Sequence, residues 1–467
     1  MDEKNNLKNN YIELSDLLAE DKRRNIRVGC DLPILVDHKD RGQIVNLSKD
    51  GFCFSAGRNI LGSNNMADLM LSADATLNAR YDLVWRSKKD SQNDYIYGAR
   101  IREISSLDME TLRRYFSDRE DLKKRFREIV AEFKNYVMKF KTYCDETDRL
   151  RSVANPIKLS KDEYGQACRT FDYYYASLWQ IIELYDKKRY EETKLFCQNE
   201  LNPLIVDQVE INRYIFEKPL GYAGDFMMMN YIYDYYNGNH YLGESTYERF
   251  INRYTCSIPI SSSNIQRKKY FQGKILDVLS RKKEARMLSV GCGSAREWVE
   301  LVSGGKITKP VYLTLVDMDE RAIQHIKAAF AMIEPGKKEH LHINYMNLNI
   351  IALVKNKELY NELYGQDLVY ASGLCDYLSP QIAKRLVIQL FGLVREDGRF
   401  ILCNASEEHM THRAYYEILG DWKMYHRKKD EMLDLVKLIK PKPHVTFEET
   451  GAFKSYYFLN IALNDRH

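Results

Sequence analysis

The period of apolar and polar positions changes twice along the chain. Between about Arg27 and Ile104, apolar residues alternate with polar ones in short runs, LPILVDH, GQIVNLS, GFCFSAG, YDLVWRS and YIYGARI, separated by turn residues. Several short strands at this spacing predict a small β-barrel. From Ser106 the period lengthens. SLDMETLRRYFSDREDLKKRFREIVAEFKNYVMKF places an apolar residue every three or four positions and contains neither Gly nor Pro, the pattern of amphipathic helix. YYYASLWQIIELYDKKRYEETKLFCQ continues it. After Lys282, apolar runs of strand length (ARMLSVGCG, VYLTLVDMD, LHINYMNLN, DLVYASG, RFILCNA) alternate with helical or loop stretches. That alternation predicts a parallel, doubly wound α/β sheet. The chain closes on HVTFEETGAFKSYYFLNIAL, two strands around a glycine turn, as in a terminal antiparallel hairpin. The expected organisation is multidomain: a tail over 1–20, a β-barrel over 21–104, a helical connector over 105–206 and an α/β domain over 207–467.

Composition narrows the function classes. A chain of 467 residues exceeds what one core usually organises. Lys and Arg number 70 against 66 Asp and Glu, too small an excess for a nucleic-acid-binding surface, so any basic function is local. No apolar run approaches the ~20 residues that span a bilayer. MDEKNNLKNN lacks the apolar centre of a signal peptide, and a cytoplasmic location is expected. Nine cysteines without a CxxC pair suit neither a disulfide framework nor a zinc site, and no metal is expected. The oligomeric state is not legible, and a homodimer is compatible with the pattern.

In MLSVGCGSAREWVELV a buried strand runs into Gly291-Cys292-Gly293 and then a helix. Glycines serve where the backbone turns sharply and a ligand comes close to the main chain. One such turn is a weak signal. The next strand, VYLTLVDMDERAI, ends in Asp317, at the separation where a Rossmann-like sheet presents a carboxylate to ribose hydroxyls. The alternative is a tight turn plus a helix-capping aspartate on an unliganded sheet.

The terminal hairpin and the order of elements resemble class I S-adenosylmethionine (SAM) methyltransferases. A narrower resemblance rests on KPLGYAGDFMMMN, LSVGCGSAREW, DLVYASGLCDYLS, DGRFILCNAS and YYEILGDWKMYHRKKDEML in this order. Together they resemble the bacterial methyltransferases that make 3-hydroxy fatty-acid methyl ester signals, over about the last 270 residues. The chain departs from that family at Glu396-Asp397-Gly398, where a Pro-Gly-Gly-like turn precedes the fifth strand. The resemblance implies cofactor contacts at Gly291, Cys292, Gly293, Asp317, Met318, Asn347, Leu348 and Ser372, with Asn347 near adenine. It implies that Asp376 and Tyr377 touch the acceptor, and that Tyr222 and Asp225 of KPLGYAGDFMMMN face a cleft with the methionines as an adaptable apolar wall. Without it, that stretch is equally a turn between helices with a core methionine cluster.

Methyl transfer to a carboxylate needs no deprotonation at neutral pH, because an ordinary carboxyl is already ionised. The lack of a clear His-Asp or Cys-His constellation therefore fits a small-molecule acid as acceptor and disfavours an alcohol, which needs a base. His409 and His412 are the candidate bases, with loop polar residues as the plainer alternative. Arg296 is a candidate for the acceptor carboxylate, or the partner of a nearby acid, and Asp421 and Trp422 for the far wall.

At the start of the barrel, RRNIR carries Arg23, Arg24 and Arg27, and NLSKDG carries Asn46, Ser48 and Gly51 at a strand–loop junction. The two pieces resemble the RxxxR and [DN]xSxxG motifs of the PilZ domain, which binds cyclic di-GMP. Guanidinium forks pair with phosphates and stack on guanine, while small polar residues let a loop wrap a base edge. The leading expectation is a SAM-dependent methyltransferase under cyclic di-GMP control. The alternatives are an inactive effector that uses the methyltransferase fold for interaction, and a methyltransferase acting on a protein or another small acid.

Overall fold

The computed structural model describes residues 27–57, 60, 65–72, 74–88, 95–149, 159–238, 243–349, 352, 357–408, 412–449 and 453–463. They fall into two compact units, one comprising residues 1–139 with 161–201, the other 140–160 with 202–467. The helical stretch is thus divided between the units.

Six antiparallel strands build the first unit's barrel: β1 (Val28–Val36), β2 (Asp40–Ser48), β3 (Gly51–Ala56), β4 (Asn65–Ser72), β5 (Ala75–Lys88) and β6 (Tyr95–Ile104). They run in the order β1-β2-β3-β6-β5-β4, and β1 pairs with β4 through Ile34–Leu69 and Val36–Ala67, which closes the barrel. Closure leaves no open edge. The period-two alternation puts Ile34, Ile44, Phe52, Phe54, Leu77 and Tyr81 inside, each almost wholly shielded from solvent. Phe54 stacks on Tyr97 at 5.0 Å and Phe52 meets Tyr81 edge-on at 5.2 Å. The expected strands are present. β4 is a further strand, and its NMADLMLS alternates buried and more exposed positions.

Helices Ser106–Asp118, Glu120–Arg149, Lys161–Ile182 and Lys187–Ile205 follow. The first is capped by Ser105, whose hydroxyl accepts the Asp108 amide, the arrangement that satisfies a free helix-start donor. Phe133 packs on Phe171, Tyr174 and Tyr175 at 4.8–5.2 Å.

In the second unit, helices Glu210–Glu217, Phe226–Tyr236, Thr246–Ser257 and Pro259–Arg281 precede the sheet. Its strands are β7 (Ala285–Val290), β8 (Val311–Asp317), β9 (Leu341–Asn347), β10 (Gln366–Ala371), β11 (Val394–Ala405), β12 (His444–Glu449) and β13 (Tyr456–Ala462), in the order β12-β13-β11-β10-β7-β8-β9. β7 to β11 are mutually parallel, and β13 is antiparallel to both β11 and β12. This order, with its last hairpin tucked beside the fifth strand, is the class I methyltransferase arrangement expected above. Leu288, Val369, Leu402 and Leu459 form the centre of one core layer.

Glu396-Asp397-Gly398, expected as a turn ahead of the fifth strand, lies within that strand. β11 already begins at Val394, which faces Gln366, while Leu368 faces Arg399, so the tripeptide bulges within the strand. Gly398 is needed there because a Cβ would lie 2.6 Å from the Gln366 carbonyl oxygen.

Candidate functional site

Strand order reverses between β7 and β10, and ligands in open α/β sheets bind beyond the carboxyl ends of the strands at such a point. A cavity of about 400 Å3 lies there, lined from the ends of β7, β8 and β10. Gly291 and Gly293 have φ of +64° and +53°, a region that glycine enters without strain. The amides of Gly291 and Cys292 both donate to the Val316 carbonyl, at 2.9 and 3.1 Å, tying the turn to β8. Asp317 closes the same turn: its carboxylate accepts the Gly293 amide at 2.8 Å and the Asp319 amide at 2.9 Å. Burial pushes its carboxyl up, opposed by those two amides. Cys292, Met318, Leu348 and Ser372 also line the cavity.

Asn347 has a different post from the expected adenine contact. Its amide group donates to the carbonyls of Asp317 (3.2 Å) and Met318 (3.0 Å), bracing the end of β8 without lining the cavity.

KPLGYAGDFMMMN is at once a turn between helices and part of the cavity wall. Lys218, left-handed at φ +50°, ends one helix, and Asp225 begins the next. Tyr222, Gly224, Phe226 and Met229 line the cavity. Asp225 does not, contrary to expectation. Its carboxylate accepts the amides of Met227 and Met228 at 2.9 Å and the Tyr214 hydroxyl at 3.0 Å, which makes it a helix cap. Gly224 is where the backbone passes Tyr377, since a Cβ would sit 1.7 Å from the phenol oxygen.

Tyr377 receives a hydrogen bond from the Trp422 indole at 2.9 Å and meets Tyr222 edge-on at 5.7 Å. All three line the cavity. Burial holds the phenols of Tyr222 and Tyr377 well above their ordinary range, so both stay protonated at neutral pH. Asp376 is 2% exposed, and burial pushes its carboxyl up to about 6 against the pull of Arg267. One of its oxygens accepts the Ala405 amide at 2.7 Å; the other lies 3.9 Å from Nη1 of Arg267. Glu297 lines the cavity too, accepting the Tyr370 hydroxyl at 2.5 Å, and burial raises its carboxyl.

The remaining candidates are placed elsewhere. Arg296 binds Asp234 at 3.0 Å and Glu300 at 3.2 Å and does not line the cavity. Asp421 pairs with Lys218 at 2.5 Å. His412 is buried against Tyr254, ring centres 6.0 Å apart, and does not line the cavity, and His409 lies outside the described residues. No histidine is among the described residues lining the cavity, and none of their His, Cys, Asp and Glu side chains gather as a metal site.

Arg267 is the principal residue that motif reading missed, although a signal exists. It falls on the buried stripe Ile260, Asn264, Arg267, Phe271, Ile275, Val278 of its helix, a charged residue at an apolar position of the 3.6 period. Tyr456, from the start of β13, lies nearly two hundred positions away in sequence and had no such signal.

In the barrel, Arg27 donates to Asn46 Oδ1 at 3.4 Å, and the Ser48 hydroxyl donates to the Gly51 carbonyl at 2.9 Å. Gly51 is obligatory, because a Cβ would lie 2.3 Å from the Ala99 carbonyl oxygen. Lys49, inside the same loop, pairs with Glu183 at 2.6 Å, and Arg119 donates to the Gly29 carbonyl at 3.0 Å. The loop is thus tied to the end of the helix Lys161–Ile182, and β1 to the junction of the two helices before it, with these contacts all within one unit. Arg23 and Arg24 lie outside the described residues.

Residues 21–118 match the PilZ domain family. The PilZ domain thus comprises the whole barrel and the helix Ser106–Asp118. No curated protein matches the chain. Among solved structures, one described as a possible exported protein from Bordetella parapertussis is 13% identical over 54% of this chain and 86% of that one, TM-score 0.40. Magnesium protoporphyrin IX methyltransferase from Synechocystis PCC 6803, with bound SAM, is 14% identical over 50% of this chain and 95% of that one, TM-score 0.33. An O-methyltransferase family protein from Burkholderia thailandensis is 10% identical over 41% and 56%, TM-score 0.30. The strand order, rather than these distant likenesses, carries the fold assignment for the second unit.

Proposed function

We propose that this protein is a cyclic di-GMP-responsive methyltransferase that uses SAM to methylate the carboxylate of a small apolar acid, with hydroxy fatty acids as the leading class. The observation that carries the reading is the glycine turn closed by a buried carboxylate, Asp317, at the reversal point of the sheet. The residues fit the group. A 400 Å3 cavity suits a ligand of this size. Asp317 keeps lone pairs for ribose hydroxyls, and Met318 and Leu348 offer apolar surface for a flat base. Bound there, SAM supplies an electrophilic methyl group on a sulfonium.

The chain's own part is to align and to exclude water. Tyr222, Phe226, Leu378, Ile382 and Trp422 present apolar and aromatic surface, and a dry, aligned cleft accelerates the meeting of opposite charges. The two phenols, held neutral, can donate hydrogen bonds and cannot act as bases. That limitation suits an acceptor that is already ionised.

The regulatory half rests on the PilZ match and on the motif residues Arg27, Asn46, Ser48 and Gly51, with Arg23 and Arg24 as further phosphate partners. Lys49–Glu183 offers a contact that ligand binding in the loop can alter. The test is to incubate purified protein with SAM bearing a labelled methyl group and a series of free fatty and 3-hydroxy fatty acids, with and without cyclic di-GMP. Labelled methyl esters are expected, at a rate that changes with the dinucleotide. Protein that binds the donor yet labels no acid would overturn the acceptor class. An unchanged rate with dinucleotide bound would overturn the regulation.

A further inference from the structure

Arg267 is the only Lys or Arg among the described residues that line the cavity, and it is 7% exposed. Its hydrogen bonding is incomplete. Nε has no partner, Nη1 stands 3.9 Å from Asp376 Oδ2, beyond hydrogen-bond reach, Nη2 is 3.8 Å from the weakly accepting sulfur of Met229, and the neutral Tyr233 hydroxyl is the further oxygen that engages the guanidinium. The guanidinium lies over the Tyr456 ring at 4.7 Å. Gly373 makes room for it, since a Cβ there would come within 2.5 Å of Nη1. A buried cation with idle donors is costly, and a planar fork with donors to spare matches a two-oxygen anion.

We infer that Arg267 grips the carboxylate of the acid to be methylated and that Asp376 takes the guanidinium back once the ester has formed. The inference rests on the methyltransferase reading. A carboxylate could come from the acceptor or from the methionyl group of the donor. Arg267 stands among Gly373, Asp376 and Tyr456, beside β10 and β13, whereas the glycine turn and Asp317 belong to β7 and β8. The inference assigns the grip to the acceptor's carboxylate, and the S-adenosylhomocysteine titration below separates it from the donor's.

In the reaction a carboxylate oxygen bonds to the methyl carbon, the carbon–sulfur bond breaks, and its electron pair stays on sulfur as a neutral thioether; no proton moves. The acid loses its charge, so a cation holding it stabilises the ground state more than the transition state. Arg267 then acts on acceptor binding and selectivity. Asp376, loosely placed at 3.9 Å, supplies the charge that the ester no longer has and so favours product release.

The experiment uses the full chain saturated with S-adenosylhomocysteine and titrates decanoic acid and decanamide by calorimetry, in wild type, Arg267→Gln, Arg267→Lys and the outlying control Arg296→Gln. Arg267→Gln is expected to weaken decanoate about 10- to 100-fold while leaving decanamide and S-adenosylhomocysteine nearly unchanged. Arg267→Lys, which keeps charge without the fork, should fall between, and it carries the test if the Gln variant melts early. With decanoate as substrate, KM should rise while kcat at saturation does not fall. Equal losses for acid and amide, unchanged decanoate binding, or a matching loss of S-adenosylhomocysteine affinity would each overturn the inference. Wild type that binds S-adenosylhomocysteine but not decanoate overturns it alone; wild type that binds neither removes the methyltransferase reading beneath it.

Discussion

The barrel site and the sheet cavity are built on opposite plans. In the barrel, Arg27 precedes β1, Asn46 and Ser48 belong to β2 and Gly51 opens β3, all between positions 27 and 51 of the chain. The cavity gathers Tyr222, Arg267, the Gly291–Gly293 turn, Asp317, Asp376, Trp422 and Tyr456 from seven separate places along the chain. A local site is spelled as a motif. A site assembled by topology is not, and only its backbone-constrained parts carry a signature.

Gly224 offers the most severe test of that difference, because a single Cβ meets Tyr377 head-on. Gly224→Val should lower methyl transfer at least about 100-fold through overpacking of the cavity, while cyclic di-GMP binding by the same sample stays at the wild-type value. Loss of both together in a cooperatively folded sample would mean that the two sites are not separate in the way their construction suggests. Arg27→Ala probes the other plan. It should weaken cyclic di-GMP by about 1.5–3 kcal/mol, roughly tenfold or more, as for a lost charge-assisted bond, with donor affinity unaltered; calorimetry with each ligand reads both. Asp225→Ala comes last. As a helix cap it should cost about 1 kcal/mol in thermal unfolding, with turnover per folded molecule close to wild type. A large fall in turnover without loss of stability would restore Asp225 to the site.

Much of the architecture was legible because period is a backbone property. Alternation announced the barrel strands, and apolar runs ending in Gly291-Cys292-Gly293 and at Asp317 announced a parallel sheet with a ligand turn. Roles of individual side chains were less legible. Asp225 and Asn347 carry the right chemistry in the right neighbourhood, yet backbone amides and carbonyls claim them. Arg296 looked suited to a carboxylate, but Asp234 and Glu300 are nearer. Arg267 was hidden among the charges of QRKKY, and only its place on the buried stripe of the helix sets it apart from Lys269, which falls on the outer face.

The central claim, that the sheet cavity holds SAM over the Gly291–Gly293 turn, is most directly tested by calorimetric titration of S-adenosylhomocysteine into wild type and Asp317→Ala. One site per chain is expected in wild type, with affinity weakened by about 1–3 kcal/mol in the variant as its ribose contact is lost. No binding to well-folded wild type, or equal affinity in the two proteins, would contradict the account.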